Sequence, residues 1–177
     1  MNAVPVPVAP PARPEPGGAP GPAVRRATAA DTRRLTSLVR NSRAYRGRYA
    51  AMVSGYTVGP GYVETHEVFL AEDAAGRVLG FYALVLSPPE LDLMFVSDAA
   101  QGLGVGRLLA GHMVERARAA GLDHVRVVSH PPAEGFYTSV GARRTGTVRA
   151  VPSSVPWDRP ELRFDLSPVP AGSGGAP

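Results

Sequence analysis

The sequence predicts a fold of the α/β (α+β) class, in which one mixed sheet of six to seven strands has helices on both faces. Three observations lead to this prediction. Seven β-rich runs and four helical segments follow one another in the order β-α-α-β-β-β-α-β-α-β-β, which is typical of a layered mixed sheet. Two β-rich runs flank the turn Asp73–Gly76, as in a hairpin. One long segment, residues 104–120, has the apolar period of an amphipathic helix.

The first half of the chain contains four of the predicted strands and two of the helices. The strands are Val24–Thr28, His66–Glu72, Arg77–Leu86 and Glu90–Val96. Thr28 and Asp31 have the spacing of a capping box, which predicts that a helix begins there. A second, short helix is expected near Tyr49–Ser54, after an arginine-rich stretch. Alternation along the fourth strand predicts Glu90 and Asp92 on the same face as Val96.

The second half contains the long helix, a short helix and three strands. The buried stripe of the long helix is predicted to be Val105, Leu108, Leu109, Met113 and Ala117. Gly121 is placed to end that helix, and Gly141 closes a short helix over Pro132–Val140. The remaining predicted strands are His124–Ser129, Arg144–Val151 and Leu162–Leu166.

The length of 177 residues predicts one domain. Residues 1–23 and 167–177 consist mostly of Pro, Ala, Gly and Val or Ser, so we expect flexible tails around a domain at residues 24–166. The chain has no cysteine, and its four histidines lack metal-ligand spacing, so we expect no metal. No apolar run approaches the roughly 18 residues of a membrane span, and the N-terminus does not resemble a secretory signal. We therefore expect a cytoplasmic protein with no membrane partner.

All 19 basic residues are arginine, and the formal net charge is +4. Such a charge suits an anionic ligand with several phosphates. Aromatic residues make up only 7% of the chain, and there is no dense basic stripe interleaved with them. We therefore expect no nucleic-acid partner.

The segment Gln101–Arg107 lies between a predicted strand and the long helix, with glycines at positions 102, 104 and 106. Glycines allow a sharp turn and remove side chains that would keep a ligand away. The first N–H groups of a helix have no internal partner and carry the positive end of its dipole. The loop is therefore a candidate site for a pyrophosphate; the alternative is a tight turn with no ligand.

The spacing of this glycine loop excludes two common nucleotide motifs. The chain has no lysine, so the loop is not the G-x-x-x-x-G-K-[ST] sequence of a nucleotide hydrolase. Leu108 and Leu109 follow Arg107 where the third glycine of G-x-G-x-x-G would be needed. A dehydrogenase is therefore not expected either.

The loop resembles the central motif [RQ]-x-x-G-x-[GA] of the GNAT superfamily of acyl-CoA-dependent N-acetyltransferases, with Gln101, Gly104 and Gly106 at the motif positions. The preceding Leu93–Val96 is similar to the strand end that binds the pantetheine arm in that family. The later Pro132–Gly141 is similar to its N-x-x-A-x-x-F-Y-x-x-x-G segment. The resemblance extends over most of residues 24–166 and implies a mostly antiparallel sheet.

Two further segments resemble small bacterial members of the superfamily. Arg43–Tyr49 is similar to a K-A-H-W-G-Y stretch, with Tyr45 and Arg46 replacing its histidine and tryptophan. Ser153–Pro156 resembles the S-S-I-P rim before the last strand. One departure is His130, which with two prolines stands where the family often has asparagine.

The resemblance implies acetyl-CoA as the acyl donor, without a metal. The residues that it implies for coenzyme binding are Phe95, Val96, Gln101, Gly102, Leu103, Gly104, Val105, Gly106, Arg107, Ala133, Phe136 and Tyr137. Arg107 either binds phosphate or is an ordinary surface residue.

Transfer of an acyl group to an amine needs a base, an oxyanion donor and an acid for the departing thiolate. The resemblance implies Glu90 or Asp92 as the base, directly or through water, although both could lie on a solvated strand edge. It implies the backbone N–H of Val96, or of Phe95, for the oxyanion. It implies Tyr137 as the acid, where the alternative is a tyrosine that only packs.

The predicted activity is therefore direct N-acetylation of a small-molecule amine. The absence of cysteine fits direct transfer, because no thiol is available for an acyl-enzyme. An acetyltransferase acting on a lysine or an N-terminus of a protein, and a non-catalytic acyl-CoA-binding regulatory module, remain alternatives. A homodimer is possible, because late strands often mediate dimers in this family.

Overall fold

In a computed structural model of the protein, residues 21–152 and 154–166 are described. The predicted tails lie outside these residues, except for positions 21–23. The strands are β1 Ala23–Arg26, β2 Glu67–Glu72, β3 Val78–Leu86, β4 Pro89–Val96, β5 His124–Val128, β6 Arg143–Val148 and β7 Arg159–Asp165. The helices are α1 Thr32–Arg40, α2 Pro60–Thr65, α3 Val105–Ala119 and α4 Glu134–Ser139.

The seven strands form one open sheet in the order β1-β2-β3-β4-β5-β7-β6. All neighbouring strands are antiparallel except β4 and β5, which are parallel. One face of the sheet packs on α3, through Leu109 and Met113. The other face packs on α1, through Leu35 and Val39. The predicted mixed, mostly antiparallel sheet with helices on both faces is confirmed.

The capping box predicted from Thr28 and Asp31 is present at the entrance to α1. The N–H of Thr28 donates to the Asp31 carboxylate at 2.9 Å, and Arg25 of β1 binds the same carboxylate at 2.9 Å. The hydrogen bond from Arg25, above all, lowers the pKa of Asp31 well below its usual range. This buried acid therefore joins the first strand to the first helix.

Two short elements between α1 and β2 differ from the prediction. The helix expected near Tyr49–Ser54 is a 3-10 helix over Gly47–Met52, and α2 was not predicted at all. Pro60 stands in the first turn of α2, a position that proline favours, so Gly59-Pro60 was the signal for it. None of the helices described is both long and apolar enough to cross a membrane.

Candidate active site

The parallel strands β4 and β5 pair at a single position, Glu90 with Arg126. A cavity of about 720 Å³ lies beyond that pair. Its walls include Met94, Phe95 and Val96 at the end of β4, and Val128, Ser129 and His130 at the end of β5. This volume is in the range of sites that hold small-molecule ligands and cofactors.

The glycine loop forms one end of this cavity, where Gly102, Gly104 and Gly106 line it. Gly102 and Gly104 have φ angles of 77° and 82°, in the left-handed region that favours glycine. The N–H of Leu108 donates to the Gly104 carbonyl at 2.9 Å, as the first hydrogen bond of α3. The three N–H groups before it therefore have no helical partner. The loop predicted to bind an anion therefore places the first N–H groups of α3 beside the cavity.

The other residues of the loop differ in what they can offer a ligand. Leu103 is 73% exposed, and Val105 is buried in the core beneath α3. Neither is among the described residues that line the cavity, so these two positions offer main-chain atoms rather than side chains. Gln101 and Arg107 do line it, and the Arg107 guanidinium is exposed.

Helices α3 and α4 meet closely at Gly106. A methyl group there would lie 3.0 Å from Cε2 of Phe136 and 3.6 Å from Cγ2 of Val96. The ring of Phe136 therefore packs against the first turn of α3. Ala133, Phe136 and Tyr137, which the resemblance implies as coenzyme contacts, all line the cavity.

Tyr137 is buried, and its ring lies 5.2 Å from that of Phe136 in an edge-to-face arrangement. Burial raises the pKa of its hydroxyl. The hydroxyl therefore keeps its proton at neutral pH, and the residue lines the cavity.

The hydrogen-bond ladder distinguishes the two candidate oxyanion donors. The N–H of Ser97 donates to Leu79 of β3 at 2.8 Å. Successive N–H groups of a strand point to opposite edges, so the N–H of Val96 points away from β3. The N–H of Phe95 points toward β3, like that of Ser97. Val96 is therefore the residue whose N–H faces the cavity side of β4.

The strict alternation predicted along β4 is wrong. The register shifts between Ala83 and Leu84 of β3, which leaves Asp92 as the extra residue of a β-bulge. Leu91 consequently packs in the core on the α3 side, whereas Leu93 packs on the α1 side. The two acidic residues of β4 therefore have different surroundings.

Glu90 is held by an ion pair. Nη1 of Arg126 donates to Oε2 of Glu90 at 3.0 Å, and Nε of Arg126 donates to Glu161. Hydrogen bonds to Glu161 first, and then to Glu90, raise the pKa of Arg126. The negative charge of Glu90 is thus compensated by a guanidinium.

Asp92 has a neutral partner instead. It is exposed at the cavity wall, and its Oδ2 accepts a hydrogen bond from the hydroxyl of Tyr62. Burial, followed by this bond, raises the pKa of Tyr62. Tyr56 lines the cavity beside them, and burial raises its pKa too. The sequence did not identify these tyrosines, because Tyr62 belongs to the unpredicted helix α2.

His130, the residue that departs from the family pattern, is buried in an aromatic cluster at the cavity wall. Its ring stacks on Tyr45 at 4.4 Å and meets Tyr49 edge-on at 5.5 Å, and Tyr49 meets Trp157 at 4.7 Å. Burial lowers the pKa of His130, although a hydrogen bond with the Ala44 backbone opposes the shift. The imidazole is therefore neutral at pH 7.

Residues 21–152 and 154–166 contain no cluster of three or more His, Asp or Glu side chains suited to a metal ion. The Ser153–Pro156 rim includes Ser153, which lies outside the described residues.

Comparison with solved structures supports the fold. An IAA acetyltransferase from Bacillus cereus is 20% identical, with a TM-score of 0.63 over 82% of this chain and all of that one. A phosphinothricin acetyltransferase from Sinorhizobium meliloti, solved with AcCoA, is 22% identical, with a TM-score of 0.64 over 82% of this chain and 88% of its own. The ribosomal-protein-S18-alanine N-acetyltransferase from Escherichia coli is 16% identical, with a TM-score of 0.63 over 88% and 99%.

No curated protein matches the chain in sequence. The family model for the acetyltransferase (GNAT) domain, however, matches residues 60–152. This match includes β4, the glycine loop, α3 and α4, which build the cavity, and it covers more than half of the chain. The predicted acyltransferase class is confirmed: the chain belongs to the GNAT family of acetyltransferases.

Proposed function

We propose that the protein transfers an acetyl group directly from acetyl-CoA to the amine of a small molecule. The observation that carries this proposal is the single cavity that joins the glycine loop to the acidic residues of β4. We call the part at Gln101–Arg107 the donor end. The part at Glu90 and Asp92, with Tyr45, Tyr56 and His130 around them, is the acceptor end.

At the donor end, the pyrophosphate of the coenzyme accepts hydrogen bonds from the free N–H groups that precede Leu108. The dipole of α3 favours the negative charge at this point. Gly104 keeps the approach open, since its left-handed backbone carries no side chain. The pantetheine arm then runs along the end of β4, past Phe136 and Ala133.

At the acceptor end, Asp92 takes a proton from the ammonium group, directly or through a water molecule. We favour Asp92 over Glu90 because its partner is the neutral hydroxyl of Tyr62, whereas Arg126 already compensates the charge of Glu90. The free amine attacks the thioester carbonyl, and the Val96 N–H stabilises the oxyanion. The C–S bond then breaks as Tyr137 gives its proton to the thiolate. The proton that the attacking nitrogen still carries passes through water to the Tyr137 oxygen, which restores the acid and leaves a neutral amide.

Thiol release from acetyl-CoA tests this activity. The acceptor panel contains polyamines, aminoglycosides, arylamines and amino acids, together with peptides that offer a free N-terminus or a lysine. We expect thiol release with at least one small amine, and a product heavier by one acetyl group in mass spectrometry. Thiol release with peptides alone would indicate a protein or peptide acceptor in place of a small molecule. If the protein binds the coenzyme but releases no thiol with any amine, it is a non-catalytic module.

A further inference from the structure

Three arginines on the α1 side of the last three strands each lie beside a carboxylate. Arg126 contacts Glu90 at 3.0 Å. Arg143 contacts Asp165, and Arg163 contacts the same carboxylate at 2.8 Å. Charges on this part of the sheet are therefore compensated within the protein.

Arg159, at the beginning of β7, differs from these three arginines. No carboxylate of the described residues lies within 4.0 Å of its guanidinium, and its Nε is buried without a hydrogen-bond partner among them. The Nε of Arg163 also lacks a well-aligned hydrogen bond, but it lies 2.8 Å from Asp165. Arg159 is half-buried, and it alone among these arginines has a buried Nε–H without a carboxylate beside it among the described residues; a buried donor left without a hydrogen bond costs free energy.

The position of Arg159 is at the acceptor end of the cavity, whose wall it forms together with Asp92 and His130. The N–H of Ser129 donates to the carbonyl of Pro160 at 3.0 Å, so the beginning of β7 lies beside the end of β5. The Nε2 of His130 is likewise buried without a partner among the described residues. The guanidinium of Arg159 is therefore the charged donor on this side of the cavity, and none of the described residues that line this side carries a carboxylate, whereas Asp92 lies on the β4 side.

We infer that the acceptor is an amine that also carries a carboxylate, as an amino acid does, and that Arg159 binds the carboxylate. This inference rests on the proposed acetyl transfer and names its substrate class. The ammonium group lies toward Asp92, and the carboxylate lies against the guanidinium, whose planar donors match carboxylate geometry. Tyr45, Met52 and Tyr56 line the space between with mainly apolar atoms.

The test compares amino acids with their own carboxamides as acceptors, because the two members of each pair have nearly the same shape but only the acid carries a negative charge. We expect the wild-type enzyme to prefer the acid, with kcat/KM higher on the order of 10- to 100-fold, the range of a charged hydrogen-bonded contact. Arg159→Gln removes this preference, and Arg159→Lys retains part of it. Arg163→Gln is the matched control, since it removes an arginine from the same strand outside the cavity wall, and it keeps the preference.

Two results would overturn the inference: a wild-type preference for the carboxamides or for amines without a carboxylate, or an unchanged preference in Arg159→Gln. If thiol is released with amines that lack a carboxylate but with no amino acid, the proposed substrate class is refuted and the acetyltransferase proposal still stands. Failure of every acceptor refutes both. Thermal unfolding of each variant shows whether it is folded. If Arg159→Gln does not fold, the preference for the acid over the carboxamide is measured in Arg159→Lys instead.

Discussion

The donor end of the cavity is built from main-chain groups, whereas the acceptor end is built from side chains of distant segments. At the donor end, one loop of seven residues supplies the helix entrance, and glycines keep it open. At the acceptor end, Tyr45, Tyr62, Asp92 and Arg159 come from four elements that only the fold brings together.

Because the two ends are built differently, we expect them to determine different properties of the enzyme. In the proposed function, main-chain N–H groups recognise the pyrophosphate, which every CoA thioester has, so the donor end would set the chemistry of transfer. In the same proposal, side chains recognise the particular amine, so the acceptor end would set the choice of substrate. Substitutions at the donor end should therefore affect coenzyme affinity, and those at the acceptor end should affect turnover and acceptor choice.

Gly104→Val should have the largest effect. A β-branched residue at φ 82° is strained, and its side chain would fill the approach to the free N–H groups. We expect CoA affinity to fall by at least about 100-fold, or roughly 2.7 kcal/mol, in calorimetry. Gly111→Ala is the matched control within α3, where a methyl group meets nothing within 4 Å; it should bind CoA normally. Equal binding by both variants would contradict a main-chain phosphate site.

Tyr137→Phe should separate turnover from coenzyme binding. Loss of the acid should lower kcat about 100-fold, while the affinity for CoA changes less than about threefold. Because burial raises the pKa of Tyr137, its proton is retained, and kcat of the wild type should not fall between about pH 7 and 9 through ionisation of this group. If kcat of Tyr137→Phe is unchanged in steady-state assays, Tyr137 only packs against its neighbours and is not the acid.

The two acids of β4 should differ at the acceptor end. Asp92→Asn is expected to lower kcat/KM about 50-fold through loss of the base. Glu90→Gln is expected to lower it only about fivefold, because Arg126 keeps Glu161 as a partner. The reverse order, measured at saturating acetyl-CoA, would identify Glu90 as the base.

Gly106→Ala should have the smallest effect. Its methyl group would meet the edge of Phe136 at 3.0 Å, which a small rotation of that ring can relieve, and α-helical alanine is otherwise favourable. We expect a change in CoA affinity below about fivefold. A loss as large as that of Gly104→Val would mean that the contact of α3 with α4, rather than the free N–H groups, controls binding.

The same division explains how much could be predicted from the sequence. The glycine loop, the amphipathic helix α3 and the capping box at Asp31 are local patterns, and all three are present in the structure. Leu108, which was predicted in the buried stripe of α3, is 38% exposed. The sheet also follows from the order of its elements. The parallel pairing of β4 with β5, and the cavity beyond it, were not predicted from the sequence.

The acceptor end was predicted only in part, because its contacts are not local. The bulge at Asp92 depends on the register with β3, which alternation within β4 does not reveal. Helix α2 is only six residues long, too short for a periodic pattern, so Tyr62 was missed as a partner of Asp92. The absence of a counter-charge at Arg159 can be recognised only after its neighbours are known.

Calorimetric titration of the folded protein with CoA and acetyl-CoA tests the central claim most directly. The main-chain amides at the entrance to α3 are predicted to bind one coenzyme per chain, with a Kd on the order of micromolar, and Gly104→Val should abolish the signal. Absence of heat and of measurable affinity with either compound, in wild-type protein shown to be folded, would contradict the site and the activity assigned to it.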